Sequence, residues 1–289
     1  MTREWYMPSL SVVIATYNRP NTIKRLLNIL NNQVRINLHG VNVCVVDDGS
    51  STDLTGSFPE YGFNFQYIYR PRAQDNTSRV YSSRNLSAKS IGGDFVLQLD
   101  DDVTFHERTL SELQNMAAMF EFFAPNLHWL TVPRISNNHD LGDHPKEGLG
   151  KDRGGYHFGP DGHWRDGKVH IMEVSWPSTT SCMMFMPRRT WDSVGGYDED
   201  FDGCMGAADQ ELALRVAKMG GYLLLGPYFA HIEDEETGSW RMHMIDTRKR
   251  NRRNEDLMRE KHPDMDAWSN VDYWHTGFDV FGEVKAIPK

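Results

Sequence analysis

Phe95-Val96-Leu97-Gln98-Leu99-Asp100-Asp101-Asp102 decides how the rest of this chain is read. The first five residues form an apolar run of strand length, preceded by Gly92-Gly93, and read as a buried β-strand. Three carboxylates follow without a break. Two unit charges about 4 Å apart repel by roughly 4 kcal/mol at an effective dielectric near 20. Such repulsion at the end of a core strand calls for positive charge nearby, and a divalent cation is the natural candidate.

Similar units precede this one. Leu10-Ser11-Val12-Val13-Ile14-Ala15 is a β-branched run ending in the polar turn Thr16-Tyr17-Asn18-Arg19-Pro20. Ile23, Leu26, Leu27 and Leu30 then recur at helical spacing. Val41 to Val46 reads as a second strand ending in Asp47-Asp48-Gly49-Ser50, and Phe65 to Tyr69 as a third. Ser82 to Ile91 has a helical pattern stopped by Gly92-Gly93. The alternation predicts an α/β fold, a mostly parallel sheet covered by helices on both faces. Ligands in such sheets bind beyond the carboxyl ends of the strands. The clusters at Thr16, at Asp47 and at Asp100 therefore fall on one edge.

The second half is less regular. Leu110, Leu113, Met116, Ala117 and Phe120 mark a helix, and Trp129 to Pro133 a strand. Residues 136–168 lose periodicity and hold His139, His144, His157, His163 and Trp164 at spacings that make no zinc site. An acceptor lid and plain surface are both open readings for a loop of that length. Trp176 to Pro187 returns to a buried pattern. Asp209 opens a helix with Leu212, Val216 and Met219 on one face, closed by Gly220-Gly221. Tyr222 to Leu225 reads as a short strand. Beyond His231 the chain turns polar. Its basic run from Arg248 to Arg253 is either a solvated helix face or a contact for an anionic acceptor or a membrane surface.

Bulk properties narrow the class. The chain has 289 residues, 39% hydrophobic and 25% charged, ordinary for a globular protein. A net charge of −9 argues against a generic nucleic-acid binder. No run is long enough for a membrane span, and the first residues lack the apolar stretch of a signal peptide. Cys44, Cys182 and Cys204 show neither zinc spacing nor a disulfide framework, so a cytoplasmic location is expected. Without a secretory signal, the glycosylation patterns at Asn76 and Asn85 read as chance.

The ordered motifs resemble the GT-A nucleotide-sugar glycosyltransferases of family 2. The resemblance runs from about residue 9 to about 232. It rests on Ser11 to Arg19, Val45-Val46-Asp47-Asp48-Gly49-Ser50, Ser83-Arg84-Asn85, Gly93 to Asp102, Gly195-Gly196-Tyr197-Asp198-Glu199-Asp200-Phe201 and Asp209-Gln210-Glu211-Leu212-Ala213-Leu214-Arg215. It implies a GT-A domain over 1–232, with a nucleotide-binding half over about 9–105 and an acceptor and catalytic half over about 106–232. Residues 233–289 are then a polar C-terminal extension.

The resemblance also assigns roles. Asp102 is the expected ligand of a divalent cation, Mn²⁺ or Mg²⁺, which hard oxygen donors favour. Asp100 and Asp101 would contact ribose or a metal-bound water. Asp48 would read the nucleobase, with Ala15 and Tyr17 on the same edge. Arg84 would lie near the donor phosphates, or else form a helix-surface salt bridge. His231 would complete the metal shell, unless it belongs to a solvated acidic loop.

Asp209 is the expected catalytic base, near a helix N-terminus whose dipole favours its ionised form. Relatives often carry Glu-Asp where this chain has Ala208-Asp209, and Glu211 is a weaker candidate for acceptor contact. The implied partners are a nucleotide-sugar donor, with UDP first, and a saccharide, small-molecule or lipid-linked hydroxyl acceptor. A single base implies inversion, with a retaining transferase as the alternative.

Two rival classes remain. One is a sugar-nucleotide binding protein without a working base. The other is an aspartate-nucleophile phosphatase suggested by Asp47-Asp48-Gly49-Ser50, although that chemistry wants a second Asp where Gly49 stands.

Overall fold

The computed structural model describes residues 7–72, 77–137, 168–173, 176, 179, 182–204, 206–232, 252–265, 275–279 and 284–286. Strand β1 is Leu10–Thr16, and all seven of its residues are buried. It pairs in parallel with β2, Val41–Asp47, on one side and with β4, Phe95–Leu99, on the other. Strand β3, Asn64–Tyr69, lies outside β2, also parallel. The continuous apolar runs seen in sequence are thus inner strands buried on both faces.

Helices close the two faces. On one side α1, Pro20–Asn31, buries Ile23, Leu26, Leu27 and Leu30, and Pro20 occupies the helix start that tolerates proline. It shares a core with Leu10, Val12 and Ile14 and with α3, Thr109–Phe123. On the other side Val13 and Val96 pack with Tyr81 and Ala88 of α2, Val80–Ser90, and with Leu212 and Val216 of α5, Ala208–Lys218. The short helix α4, Arg188–Val194, contributes Trp191 to the same core.

Helix α2 departs from amphipathic expectation. Its buried residues include Ser83, Arg84, Asn85 and Ser87. Buried polar groups need partners, and these find them: the Ser87 hydroxyl donates to the Cys44 carbonyl at 2.7 Å, and Asn85 Nδ2 to the Tyr197 carbonyl at 2.8 Å.

The sheet continues through the second half. Strand β8, Met183–Pro187, runs antiparallel to β4 and to β6, Trp129–Asn137. Strand β9, Tyr222–Ile232, is parallel to β6. It is eleven residues long, where the sequence suggested four. Gly226-Pro227 reads as a stop, but the register shift between Val132 and Arg134 absorbs it and pairing resumes at Phe229. The two-residue strand β5, Val103–Thr104, pairs with the end of β9, opposite Ile232 and His231. Trp176 and Thr179 form a buried turn before β8 rather than part of it.

The described parts of 233–289 are built into this architecture. Helix α6, over 252–261, places Met258 in the core beside Leu257 and Met265. Strands β10, His275–Asp279, and β11, Val284–Ala286, extend the sheet beyond β7, Lys168–Glu173. The order is β11-β10-β7-β9-β6-β8-β4-β1-β2-β3. Residues 138–167 and 233–251, with most of the histidine-rich loop and most of the basic run, lie outside the described residues. No helix among the described residues is long and apolar enough to cross a membrane.

Candidate active site at the strand ends

Strands β2, β1 and β4 are neighbours, so their carboxyl ends bring Asp47-Asp48, Thr16 to Arg19 and Asp100 to Asp102 to one edge. Backbone geometry locks the first two turns together. Asn18 takes a left-handed φ of 54°, its N–H donates to Ser50 Oγ at 2.7 Å, and its side chain accepts from Ser51 N–H at 2.8 Å. Gly49 has φ of 80°, and a Cβ there would overlap the backbone of Arg72. A cavity of about 100 Å³ beside these turns is lined by Thr16, Asn18, Arg19, Asp47 and Ser50 among others. That is well short of the roughly 300 Å³ of a small-molecule site, so a nucleotide-sized ligand needs the open surface over the strand ends.

The two carboxylates of the β2 turn differ in role. Asp47 is fully buried and accepts from Tyr67 O–H at 2.8 Å and Ser50 N–H at 2.7 Å, which is a turn-building role. Asp48 accepts from Arg79 Nε at 2.8 Å, from Arg79 N–H at 2.8 Å, and from Arg72 Nη1. Three of the roughly four acceptor positions of a carboxylate are therefore filled. The Arg72 guanidinium also lies 4.1 Å over the Tyr17 ring. Tyr17 is exposed, whereas Ala15 is buried beneath the edge.

The aspartate triplet is held by two arginines. Arg19 Nη1 donates to Asp101 Oδ1 at 2.8 Å and to Asp102 Oδ2 at 3.0 Å, and Thr16 Oγ1 donates to Asp101 Oδ2 at 2.7 Å. Arg84 donates to Asp100. Part of the positive charge that the triplet demands thus comes from the chain itself. Burial pushes the Asp101 carboxyl above the ordinary carboxylate range, against the pull of Arg19. Burial raises Asp100 likewise, against Arg84, with Asp209 and Asp101 adding to the rise.

Arg84 is not on a helix surface. It is buried between Asp100 and Asp209, with Nη1 at 3.5 Å from Asp209 Oδ1. Its guanidinium also faces the rings of Tyr197, at 5.2 Å, and Tyr81, at 5.8 Å. Burial alone would lower its pKa; Tyr197, Asp100 and Asp209 overcome that and raise it.

Asp209 stands in the first turn of α5, one residue inside it. Ala207, left-handed at φ 63°, precedes the helix, and no side chain caps it. Asp209 is therefore not the cap, and its carboxylate is committed elsewhere: Tyr197 O–H lies 3.0 Å from its Oδ1. Glu211 points the other way. It is buried and accepts from Arg215 Nε and Nη2, both at 2.7 Å, and from His262 Nε2 at 3.0 Å. Acceptor contact by Glu211 is therefore replaced by a structural role that ties α5 to α6.

Arg253, the one described member of the basic run besides Arg252, donates to the carbonyls of Asp202 at 3.0 Å and Asp200 at 3.1 Å. Both arginines are exposed on helix α6, as the solvated-face reading expects, and Arg253 also ties that helix to the 200–202 turn. The backbone of His231 pairs with Thr104, two residues beyond Asp102, and its side chain lies outside the described residues.

A hard divalent cation takes carboxylate and water oxygens. Asp102 offers one, its side chain 14% exposed. Among the described residues no group of three or more His, Cys, Asp and Glu side chains is gathered to hold a metal ion. The residues fit such a cation in donor chemistry, with most of its positions left to other ligands.

Several residues here had no role assigned from sequence: Arg19, Arg72, Arg79, Gln98, Tyr197 and Asn254. Only Gln98 carried a local signal, as a polar residue inside an apolar strand.

Comparison with known proteins agrees with this geometry. Residues 11–123 match the family described as glycosyl transferase family 2. No curated protein matches the chain. The mannosyltransferase PcManGT of Pyrobaculum calidifontis, in complex with GDP-Man and Mn²⁺, superposes with a TM-score of 0.59 at 16% identity, over 92% of this chain and 71% of that one. GalNAc-T7 with UDP, GalNAc and Mn²⁺ gives 0.55 at 14% identity, over 78% of this chain and 44% of that one. S. aureus TarS gives 0.52 at 19% identity, over 78% of this chain and 37% of that one. This chain thus spans well under two thirds of the TarS and GalNAc-T7 chains. At these identities the likeness establishes the fold, which is that of the GT-A glycosyltransferases.

Proposed function

We propose that this chain, with its glycosyl transferase family 2 domain over residues 11–123, moves a sugar from a nucleoside diphosphate donor to a hydroxyl acceptor with inversion. The observation that carries the reading is the meeting of Asp48 and the aspartate triplet at one sheet edge, with Arg84 bridging Asp100 to Asp209. Asp48 and Tyr17 receive the nucleobase, uracil first. Asp102, with His231, would hold Mn²⁺ or Mg²⁺. When bound, that ion would supply positive charge for the departing diphosphate. Asp100 and Asp101 would orient the donor.

Asp209 takes the proton of the acceptor hydroxyl as that oxygen attacks the anomeric carbon. The location that fits this reading is the cytoplasm. The acceptor is a saccharide, a small molecule or a lipid-linked glycan.

The test is a donor screen. UDP-glucose, UDP-GlcNAc, UDP-galactose and GDP-mannose are each incubated with the protein, and released UDP or GDP is measured with Mn²⁺ and again with EDTA. Release from at least one donor, abolished by EDTA and restored by Mn²⁺, is expected. Tight donor binding without release under any condition would favour the non-catalytic reading. The anomeric configuration of the product, read by NMR, separates inversion from retention.

A further inference from the structure

We propose that Tyr197 and Gln98 are positioning residues for sugar transfer. They hold one oxygen of Asp209 in a closed ring of hydrogen bonds and thereby aim the other at the acceptor hydroxyl. The inference rests on the reading of Asp209 as the base.

The ring runs through five side chains, three on α2, β4 and α5 and two, Asp100 and Tyr197, in turns. Arg84 donates to Asp100 Oδ1, and Gln98 Nε2 lies 3.4 Å from the same oxygen. Gln98 Oε1 is 3.1 Å from Tyr197 O–H, which is 3.0 Å from Asp209 Oδ1. Arg84 Nη1 closes the circuit, 3.5 Å from Asp209 Oδ1 and 3.3 Å from the Tyr197 oxygen. Both contacts to Asp209 fall on Oδ1. Its Oδ2 has no partner among the described residues, and the side chain keeps 12% exposure. One oxygen is held and the other is presented, which is what a general base requires.

The ring also accounts for two residues that packing does not explain. Gln98 is fully buried inside an otherwise apolar strand, where an unpaired amide is costly. A phenylalanine at 197 would fill the same space between Tyr81 and Trp191, but it would leave Gln98 Oε1 and Asp209 Oδ1 without a hydroxyl. The phenol is itself fixed from the backbone: Tyr197 N–H donates to Asn85 Oδ1 at 2.9 Å, and Asn85 Nδ2 donates to the Tyr197 carbonyl at 2.8 Å.

A phenol has one proton and here faces two acceptors. While Asp209 is ionised, the charge-assisted bond to Oδ1 is the stronger and the proton points there. In the transfer step the acceptor oxygen bonds the anomeric carbon, the bond to the diphosphate breaks with its electron pair on the leaving oxygen, and the acceptor's proton passes to Asp209 Oδ2. Asp209 is then neutral, and the Tyr197 hydroxyl turns to Gln98.

The experiment compares Tyr197→Phe with wild type by initial-rate nucleotide release, using whichever of UDP-glucose, UDP-GlcNAc, UDP-galactose or GDP-mannose the wild type turns over. Loss of orientation is expected to lower kcat by about 10- to 100-fold, with donor KM within about twofold of wild type. Gln98→Leu moves kcat in the same direction. Tyr228→Phe, which removes a buried hydroxyl bonded to Thr131 at 2.6 Å and not part of the ring, leaves kcat unchanged. A crystal structure of Tyr197→Phe should show the Asp209 carboxylate rotated from its place. Wild-type kcat in Tyr197→Phe, with Asp209→Asn inactive, would overturn the inference alone. Wild-type kcat in Asp209→Asn would overturn the base reading instead. If wild type releases nucleotide from no donor, an unmoved Asp209 in the Tyr197→Phe crystal structure overturns the inference.

Discussion

Asn254→Ala tests whether α6 is part of the domain rather than an appendage to it. Asn254 is fully buried, and its Nδ2 donates to the carbonyls of Phe201 at 3.1 Å, Cys204 at 3.1 Å and Gly206 at 3.0 Å. These three carbonyls belong to the loop that leads into α5 and so sets where Asp209 stands. Gly206 also accepts from Ala208 N–H at 2.9 Å. The substitution therefore leaves the Phe201 and Cys204 carbonyls without this donor, the first buried and the second half-buried. At about 1–3 kcal/mol for each unpaired buried group, the loss is about 2–6 kcal/mol.

For a domain of this size each kcal/mol is worth about 2–4 °C, so Tm should fall by about 5–15 °C. Thermal unfolding followed by circular dichroism measures it. Asn254→Asp keeps the shape but has no donor, and is expected to be at least as damaging. Amide hydrogen exchange over residues 201–208 should quicken in both variants. A Tm within about 2 °C of wild type for Asn254→Ala would refute the claim that α6 holds this loop.

Other outcomes follow from the same contacts. Arg84→Met leaves the buried Asp209 and the half-buried Asp100 without their shared cation, and should cost about 3 kcal/mol in chemical denaturation together with all transfer activity. Asp48→Ala should weaken donor binding by about 10- to 100-fold in isothermal titration, through loss of a charged hydrogen-bond acceptor; unchanged affinity would remove Asp48 from the base site. For Asp198, burial acts upward, but the Lys261 ammonium at 2.6 Å and the Asp200 N–H overcome it and hold the carboxyl below its ordinary value. A lowered folded value means that this pair's contribution is complete above the ordinary carboxylate value of about 4 and is lost as pH falls through the lowered folded value. Lys261→Met should therefore lower Tm at pH 7, with the difference from wild type shrinking as pH is taken below the ordinary carboxylate range; a Tm difference independent of pH would contradict it.

The sequence carried the sheet edge well, because its signals were local. Each inner strand was an apolar run, and each polar cluster followed its own strand, so β1, β2 and β4 could be placed with Asp48 and Asp100 to Asp102 at their ends. What lay hidden was every contact between distant segments. Nothing near Asp48 announces Arg72 and Arg79, and nothing near Glu211 announces His262, 51 positions away. Glu211 resembled a site residue because it is a carboxylate beside Asp209, yet helical geometry turns it toward Arg215 four residues on. For Arg84 the sequence leaves open a place near the donor phosphates or a helix-surface salt bridge, since charged residues seldom go inside unpaired; it is buried because two carboxylates meet it there. The stretch from Asn254 to Met265 reads from sequence only as part of a polar extension, because Asn254, Met258 and Met265 sit among charges. Its buried face is too short for periodicity to stand out.

The central claim is that Asp209 removes a proton at a donor site built on Asp48 and the aspartate triplet. The most direct test is Asp209→Asn, assayed with the best donor for both binding and turnover. Donor affinity by titration is predicted to stay within about threefold of wild type, while nucleotide release falls by about 10²- to 10⁴-fold, the usual contribution of a positioned base. Turnover near the wild-type rate with donor affinity intact would contradict the account.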